Sequence, residues 1–251
     1  ALVAPGAELH ETVEVGPFAV IGPKVRIDAR TTVGPHAVIE GRTRIGQGNR
    51  IFQFAALGAI PQDLKYAGED TELVIGDDNQ IREFATLHIG TQSGDGVTRI
   101  GHRNLFMANS HVAHDCRVGE GCILANSVAL AGHVQMGNHV TCGGLSGVHQ
   151  FTRLGDYSFI AGGAMVGMDV PPYCTAQGDR AELVGLNAVG LTRHGFTEEQ
   201  ILRIKEAYRV LFRSKLGLNE ALAKLRAEHA GHPEIDRLLD FVGSSTRGIT
   251  R

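Results

Sequence analysis

Aliphatic residues recur every six positions from the start of this chain, at Val3, Leu9, Val15, Ile21, Ile27, Val33, Ile39, Ile45, Ile51 and Leu57. An α-helix repeats every 3.6 residues and a strand every two, so neither keeps such a stripe on one face. Six residues make one short strand and one turn. Three such faces close a triangular coil of eighteen residues, and stacked coils bury a continuous aliphatic column. The residue four after each anchor is mostly small or branched (Ala7, Val13, Ala19, Val25, Thr31, Ala37, Thr43), and glycine often follows the anchor, as at Gly16, Gly22, Gly34 and Gly46. The 33 glycines are dispersed almost regularly, which suits tight corners better than a flexible linker. Trp is absent and 6% of residues are aromatic, so the core falls to Val, Ile, Leu and Ala.

The hexads break twice. After Leu57 the run Pro61-Gln62-Asp63-Leu64-Lys65-Tyr66-Ala67-Gly68-Glu69 interrupts them, and the repeat resumes at Ile75, Ile81 and Leu87. Thr91 to Thr98, with Ser93-Gly-Asp-Gly96, reads as a second extruded loop. Anchors then return from Ile100 through Phe106, Val112, Val118, Leu124, Leu130, Met136, Cys142, Val148, Leu154 and Ile160 to Val166. Asp169-Val-Pro-Pro-Tyr173 is expected to end the solenoid, since two prolines cannot continue its pairing. Beyond it the period becomes helical. Thr197-Glu-Glu-Gln200 reads as a capping box opening a helix with Ile201, Ile204, Tyr208 and Leu211 on one face; Leu218 to Glu228 reads as a second helix, and Pro233 opens a third that Gly243 stops. The expected architecture is mainly β: a solenoid of hexapeptide repeats over 1–173, with loops near 61–72 and 91–98, then a linker and α-helical domain over 174–251.

A net charge of −3 and a pI near 6.5 give no electrostatic case for nucleic-acid binding. No apolar run is long enough to span a bilayer, and Ala1 begins inside the repeat without a signal peptide, so a cytoplasmic protein without stable membrane insertion is expected. The cysteines, Cys116, Cys122, Cys142 and Cys174, form no C-x-x-C pair; the first two fall on the small inward position and Cys142 on the main anchor, so they read as buried small hydrophobes.

Chemistry enters at Phe106-Met-Ala-Asn-Ser-His-Val-Ala-His-Asp-Cys116. Positions eighteen apart should stack at about the 4.8 Å spacing of neighbouring strands, which puts His114, Gly132 and Gln150 in one column. His133 and His149 lie one residue either side of it, and His111 precedes His114 on its own coil. A lone histidine is most often a satisfied surface group, but four converging on a glycine are not ordinary. A His beside an Asp can serve as general base, and an open backbone N–H at Gly132 can stabilise an oxyanion. That equipment suits acyl transfer to a hydroxyl or amine. Histidine clusters also bind metals, but no carboxylate or thiolate is expected at convincing ligand spacing.

Six motifs in order, Gln62-Asp-Leu-Lys-Tyr-Ala-Gly-Glu69, His111-Val-Ala-His-Asp-Cys116, Leu130-Ala-Gly-His133, Val148-His-Gln-Phe151, Asp169-Val-Pro-Pro-Tyr173 and Ser245-Thr-Arg-Gly248, closely resemble the UDP-N-acetylglucosamine O-acyltransferases, the first enzymes of lipid A synthesis. The resemblance covers essentially the whole chain and is far more specific than the hexads, which many acyltransferases share. It implies a homotrimer of left-handed parallel β-helices with active sites between subunits, in a Gram-negative-type bacterium. It further implies transfer of an R-3-hydroxyacyl group from acyl carrier protein to the glucosamine 3-hydroxyl of UDP-N-acetylglucosamine, without metal or organic cofactor.

Carried over residue by residue, the resemblance makes His114 the base, Asp115 its support and Gly132 the oxyanion donor. Gln62, Asp63, Lys65, His111, His133, His149 and Gln150 would meet the sugar or its diphosphate, and Asn187 and Arg193 the nucleotide end. Gly162, Met165 and Met168 would fall in the acyl groove. Two positions depart from the family's pattern: Val189, where an acidic residue is common, and Arg193-His194, where an arginine pair is common. They leave open how uridine is held and whether a 3-amino sugar is acylated instead. Lys205, Arg209 and Arg213 form a basic stripe that reads as a solvated face or, in the family's context, as a dock for the acidic carrier protein.

Two other classes compete: a metal-dependent hexapeptide lyase of the carbonic anhydrase type, and a non-catalytic scaffold that would leave His114-Asp115 and Gly132 unexplained. The related N-acyltransferase of the same pathway usually carries an additional N-terminal domain, so a chain starting directly in the repeat is expected not to be that enzyme.

Overall fold

The computed structural model describes residues 1–251. Strands mostly two residues long alternate with turns and stack into three sheets of nine, eight and ten strands, parallel except for the last strand of the largest sheet. This is the three-faced, left-handed parallel β-helix. The eighteen-residue register holds wherever no loop intervenes: Val20 pairs with Val38, and His111 with Ala129. One core of 41 buried residues runs up the axis, built from the hexad anchors and the small residues between them.

Closing a coil in eighteen residues demands sharp corners. Sixteen non-glycine residues adopt positive φ, among them His36, Asp115, His133 and Phe151 at 58–64°. A left-handed residue costs about 1–2 kcal/mol, so the stacking of each coil on its neighbours must outweigh the strain. Inside, an asparagine ladder helps: Asn49 Oδ1 accepts from Asn79 N and Nδ2, Asn79 Oδ1 from Asn104 N, and Asn104 Oδ1 from Cys122 N. All four cysteines are buried. Burial pushes the thiols of Cys116 and Cys122 up to about 12 and those of Cys142 and Cys174 higher still, so none is nucleophilic.

The sheets differ from the sequence reading at two places. Pro171-Pro172 does not end the pairing: Cys174–Gln177 joins Phe159–Ile160 in parallel, and Glu182–Leu186 then folds back antiparallel onto it. The prolines sit at the corner before that strand, where no ladder N–H is required of them. The second loop is also shorter than expected, because Val97–Ile100 already pairs with Glu72–Ile75.

Four helices follow, α1 (Ala188–Arg193), α2 (Glu198–Arg213), α3 (Leu218–Glu228) and α4 (Pro233–Gly243). Thr197 and Gln200 form the capping box of α2, and Pro233 occupies the first turn of α4. The short α1 had no helical period to announce it and rests on the Asn187 cap. The helices share a core of twelve buried residues, including Tyr173, Ile204, Leu225 and Leu238.

Candidate active site

Consecutive corners of one edge present His114, Gly132 and His149 to a cavity of about 770 Å³. Its floor is Ala129, Gly147 and Met165, one above the other in strand register. The wall is apolar, with Ala113, Leu130, Val148, Val166 and Met168. The space therefore runs parallel to the solenoid axis over four coils, with the histidines along one side.

At its edge the His114 imidazole meets Asp115 through Nδ1, 2.8 Å from Oδ2. The Asp115 side chain is 2% exposed. The start of the second loop satisfies it: Thr91 N donates to Oδ1 at 3.0 Å and Thr91 Oγ1 to Oδ2 at 2.6 Å, while Thr98 Oγ1, on the strand after the loop, accepts from the Asp115 backbone N. The insertion thus clamps the acid that orients the base. With Nδ1 engaged, Nε2 of His114 is left to face the cavity and lies over Gly132. A Cβ on Gly132 would stand 2.5 Å from Cε1 and 2.6 Å from Nε2, so the ring occupies the space that the missing side chain leaves. Gly132 N–H makes no intramolecular hydrogen bond.

His133 packs edge-on to His114, with centroids 5.1 Å apart, and stacks on Phe151. Its Nε2 is 3.7 Å from Asp115 Oδ2. Burial holds its imidazole below the ordinary value against the pull of Asp115. His111 Nδ1 bonds Thr86 Oγ1 at 2.7 Å, and burial lowers its affinity for a proton, helped by the charge of His114. Behind it lies His88, 5% exposed, pressed down to about 4 by burial and then by His111 and His114. This row of imidazoles kept neutral leaves His114 as the one paired with a carboxylate at hydrogen-bonding distance.

One expectation about metals is corrected. A carboxylate does stand at ligand spacing, since donor atoms of His114, Asp115 and His133 lie within 4.8 Å of one another. The Asp115 oxygens, however, already accept from Thr91 N, Thr91 Oγ1 and His114. A cation between them would have to displace bonds that are in place, so the donor set suits a positioned imidazole better than a metal.

The other sequence-derived residues are distributed unevenly. Gln62, His111, His149, Met165 and Met168 line the cavity. Asp63, whose carboxylate accepts from Lys65 N, lies near enough to act on His133, and Lys65 is exposed. Gln150 is exposed and outside the lining of the single-chain cavity. Asn187 is occupied as the α1 cap, accepting from Gly190 N and donating to Tyr157 O, and Arg193 is exposed at the end of that helix. Neither borders the cavity within one chain. Gly162 does not border it either: it stacks on Gly144 at the corner that precedes Met165. Lys205, Arg209 and Arg213 of the basic stripe are all exposed, but Arg213 is engaged within the chain, donating to Leu183 O and Tyr208 Oη. Sequence reasoning missed Thr91, His88, Arg180 and Ala181, the last two lining the cavity; the spacing from His88 to His111 is broken by the second loop, and no period covers the others.

Residues 6–41 and 98–132 match the family model described as bacterial transferase hexapeptide (six repeats). With the His-Asp pair over an open glycine at an apolar groove, the fold and site define a hexapeptide-repeat acyltransferase. Residues 169–250 match the model described as UDP N-acetylglucosamine O-acyltransferase, domain 2. The chain is 68% identical to the acyl-(acyl-carrier-protein)–UDP-N-acetylglucosamine O-acyltransferase of Myxococcus xanthus, covering 100% of this chain and 97% of the relative, and 60% identical to that of Anaeromyxobacter sp. strain K, covering 100% and 98%. The Acinetobacter baumannii structure of this family superposes with a TM-score of 0.97 at 45% identity, covering 100% of this chain and 97% of the other. The chain belongs to the UDP-N-acetylglucosamine O-acyltransferase family.

Proposed function

We propose that the chain transfers an R-3-hydroxyacyl group from acyl carrier protein to the 3-hydroxyl of UDP-N-acetylglucosamine, the first step of lipid A biosynthesis, as a cytoplasmic homotrimer. The carrying observation is the Nε2 of His114, left free by the Nδ1–Asp115 bond and facing the apolar cavity beside an unpaired Gly132 N–H. Nε2 takes the proton as the sugar oxygen attacks the thioester carbonyl. The tetrahedral oxyanion accepts a hydrogen bond from Gly132 N–H. Collapse breaks the C–S bond, and the imidazolium returns its proton to the departing thiolate. Asp115 stabilises the transient imidazolium and keeps the ring in the productive tautomer.

Gln62, His111, His133 and His149 would hold the sugar and its diphosphate, with Asp63, Lys65, Gln150, Asn187 and Arg193 completing the site from outside the single-chain cavity. A second subunit would supply the missing wall of the acyl groove. Val189 and His194 bear on the uridine end, where His194 packs on His139 at 4.6 Å. Exposed Lys205 and Arg209 offer charge to the acidic carrier protein. No helix is long and apolar enough to cross a membrane. The names of the relatives favour the hydroxyl over an amino acceptor and over a metal-dependent lyase. The test is incubation with UDP-N-acetylglucosamine and a panel of hydroxyacyl carrier proteins, with products identified by mass; an O-acylated sugar nucleotide is expected, and no acyl product with any donor would refute the reading.

A further inference from the structure

After α4 the chain returns to the solenoid and is fastened to its last coils. Asp169 is 1% exposed; its N–H donates to Gly248 O, its carbonyl accepts from Thr250 N, and its Oδ2 accepts from Ser245 Oγ. Thr250 Oγ1 donates to Met168 O. Between these anchors Arg247 reaches inward: Nε donates to Gly167 O at 2.8 Å, and a terminal guanidinium nitrogen lies 2.7 Å from His149 Nδ1. Gly167, Met168 and His149 all line the cavity.

A guanidinium has donors and no acceptor, and it stays charged at any working pH. His149 Nδ1 must therefore accept, which leaves the ring proton on Nε2. A second neighbour asks for the opposite tautomer, because Gln150 O lies 3.2 Å from the same Nδ1 and could accept only from an Nδ1–H. The shorter, charge-assisted contact prevails. Without Arg247 the carbonyl would draw the proton to Nδ1, and Nε2 would become a lone pair where the proposed substrate is rich in oxygen.

We propose that Arg247, on the C-terminal tail, is a positioning residue that fixes His149 as an Nε2–H donor to the sugar nucleotide. The proposal rests on the reading of His149 as a substrate contact. It is tested on the full-length enzyme with Arg247→Met, Arg247→Lys, His149→Ala and the His149→Ala/Arg247→Met double variant. Nitrogen-15 histidine spectra, with the His149 signals identified by their loss in His149→Ala, should show the Nε2–H form in the parent and in Arg247→Lys, and a shift to Nδ1–H in Arg247→Met. Loss of one donor should raise KM for UDP-N-acetylglucosamine about tenfold in Arg247→Met, with kcat little changed; Arg247→Lys should restore KM, and the double variant should be no worse than His149→Ala. An unchanged tautomer in folded Arg247→Met overturns the proposal. A shifted tautomer with unchanged KM also overturns it, and if His149→Ala then leaves KM unchanged as well, the fault lies in the substrate role of His149 and not in the contact with Arg247.

Discussion

Replacing Gly132 by Ala probes the base and its surroundings with a single methyl group. The added Cβ would stand 2.5 Å from His114 Cε1, and ordinary contact begins at 3.4 Å, so the ring must retreat by about 0.9 Å. It has little freedom to do so gently. Nδ1 is tied to Asp115, Asp115 is tied twice to Thr91, and His133 stands edge-on against the ring. A misplacement of about 1 Å costs on the order of 10² in rate, or about 2.7 kcal/mol of barrier. Gly132 has no positive φ, so the backbone itself accepts Ala, and any fall in melting temperature comes from the displaced ring and not from backbone strain. The assay is kcat at saturating donor and acceptor, in the parent and in a His114→Ala background. If the methyl group acts by displacing the base, it should cost less than about twofold once the base is gone. A parental rate in Gly132→Ala would show that the ring moves aside at no cost. A full, additive loss in the His114→Ala background would show that the methyl group acts on something else, such as the oxyanion N–H.

Three further outcomes are expected. His114→Ala should lower kcat by about 10²–10⁴ with an unchanged melting curve, and Asp115→Asn should cost less; a comparable loss of stability would make His114 structural. For His88, the folded value of about 4 lies below the ordinary 6.5, so the unfolded chain takes up its proton first as pH falls; stability is whole above 6.5 and declines by about 3 kcal/mol between 6.5 and 4. His88→Leu should reduce the slope of denaturant-measured stability across that window, with the share of the other buried imidazoles remaining, and parallel parent and variant curves would refute the assignment. Gly147→Leu should plug the groove floor between His114 and Met165, and because each buried methylene contributes about 0.8 kcal/mol, chains four carbons longer than the new limit should lose on the order of 10²-fold in kcat/KM; an unchanged chain-length profile would place the groove elsewhere.

What the sequence disclosed follows from where periodicity reaches. The hexads and the eighteen-residue column placed His114 over Gly132 and put His149 beside them, because stacked coils turn sequence distance directly into height. The same arithmetic set Gln150 above Gly132, and that residue is exposed outside the single-chain cavity; the resemblance, not the period, put Gly162 in the acyl groove, and it does not border that cavity either. Periodicity could not reach Thr91, which lies on a loop outside the register, or Arg247, which arrives at His149 across 98 residues of sequence. The helices after residue 197 were legible from caps and apolar spacing, while α1 was too short to show a period.

Because the groove follows the stacking axis, its length is quantised. Each coil adds one strand spacing of about 4.8 Å and nothing in between, so the scaffold cannot be stretched by one methylene as a loop-built pocket could. Fine adjustment must therefore come from side chains standing in the channel like pegs in a slotted rail. Met165, Met168 and Arg180, which line the cavity above Gly147, are the pegs this chain carries, and divergence in acyl preference among relatives of equal coil number should concentrate at such positions while the coils themselves stay fixed.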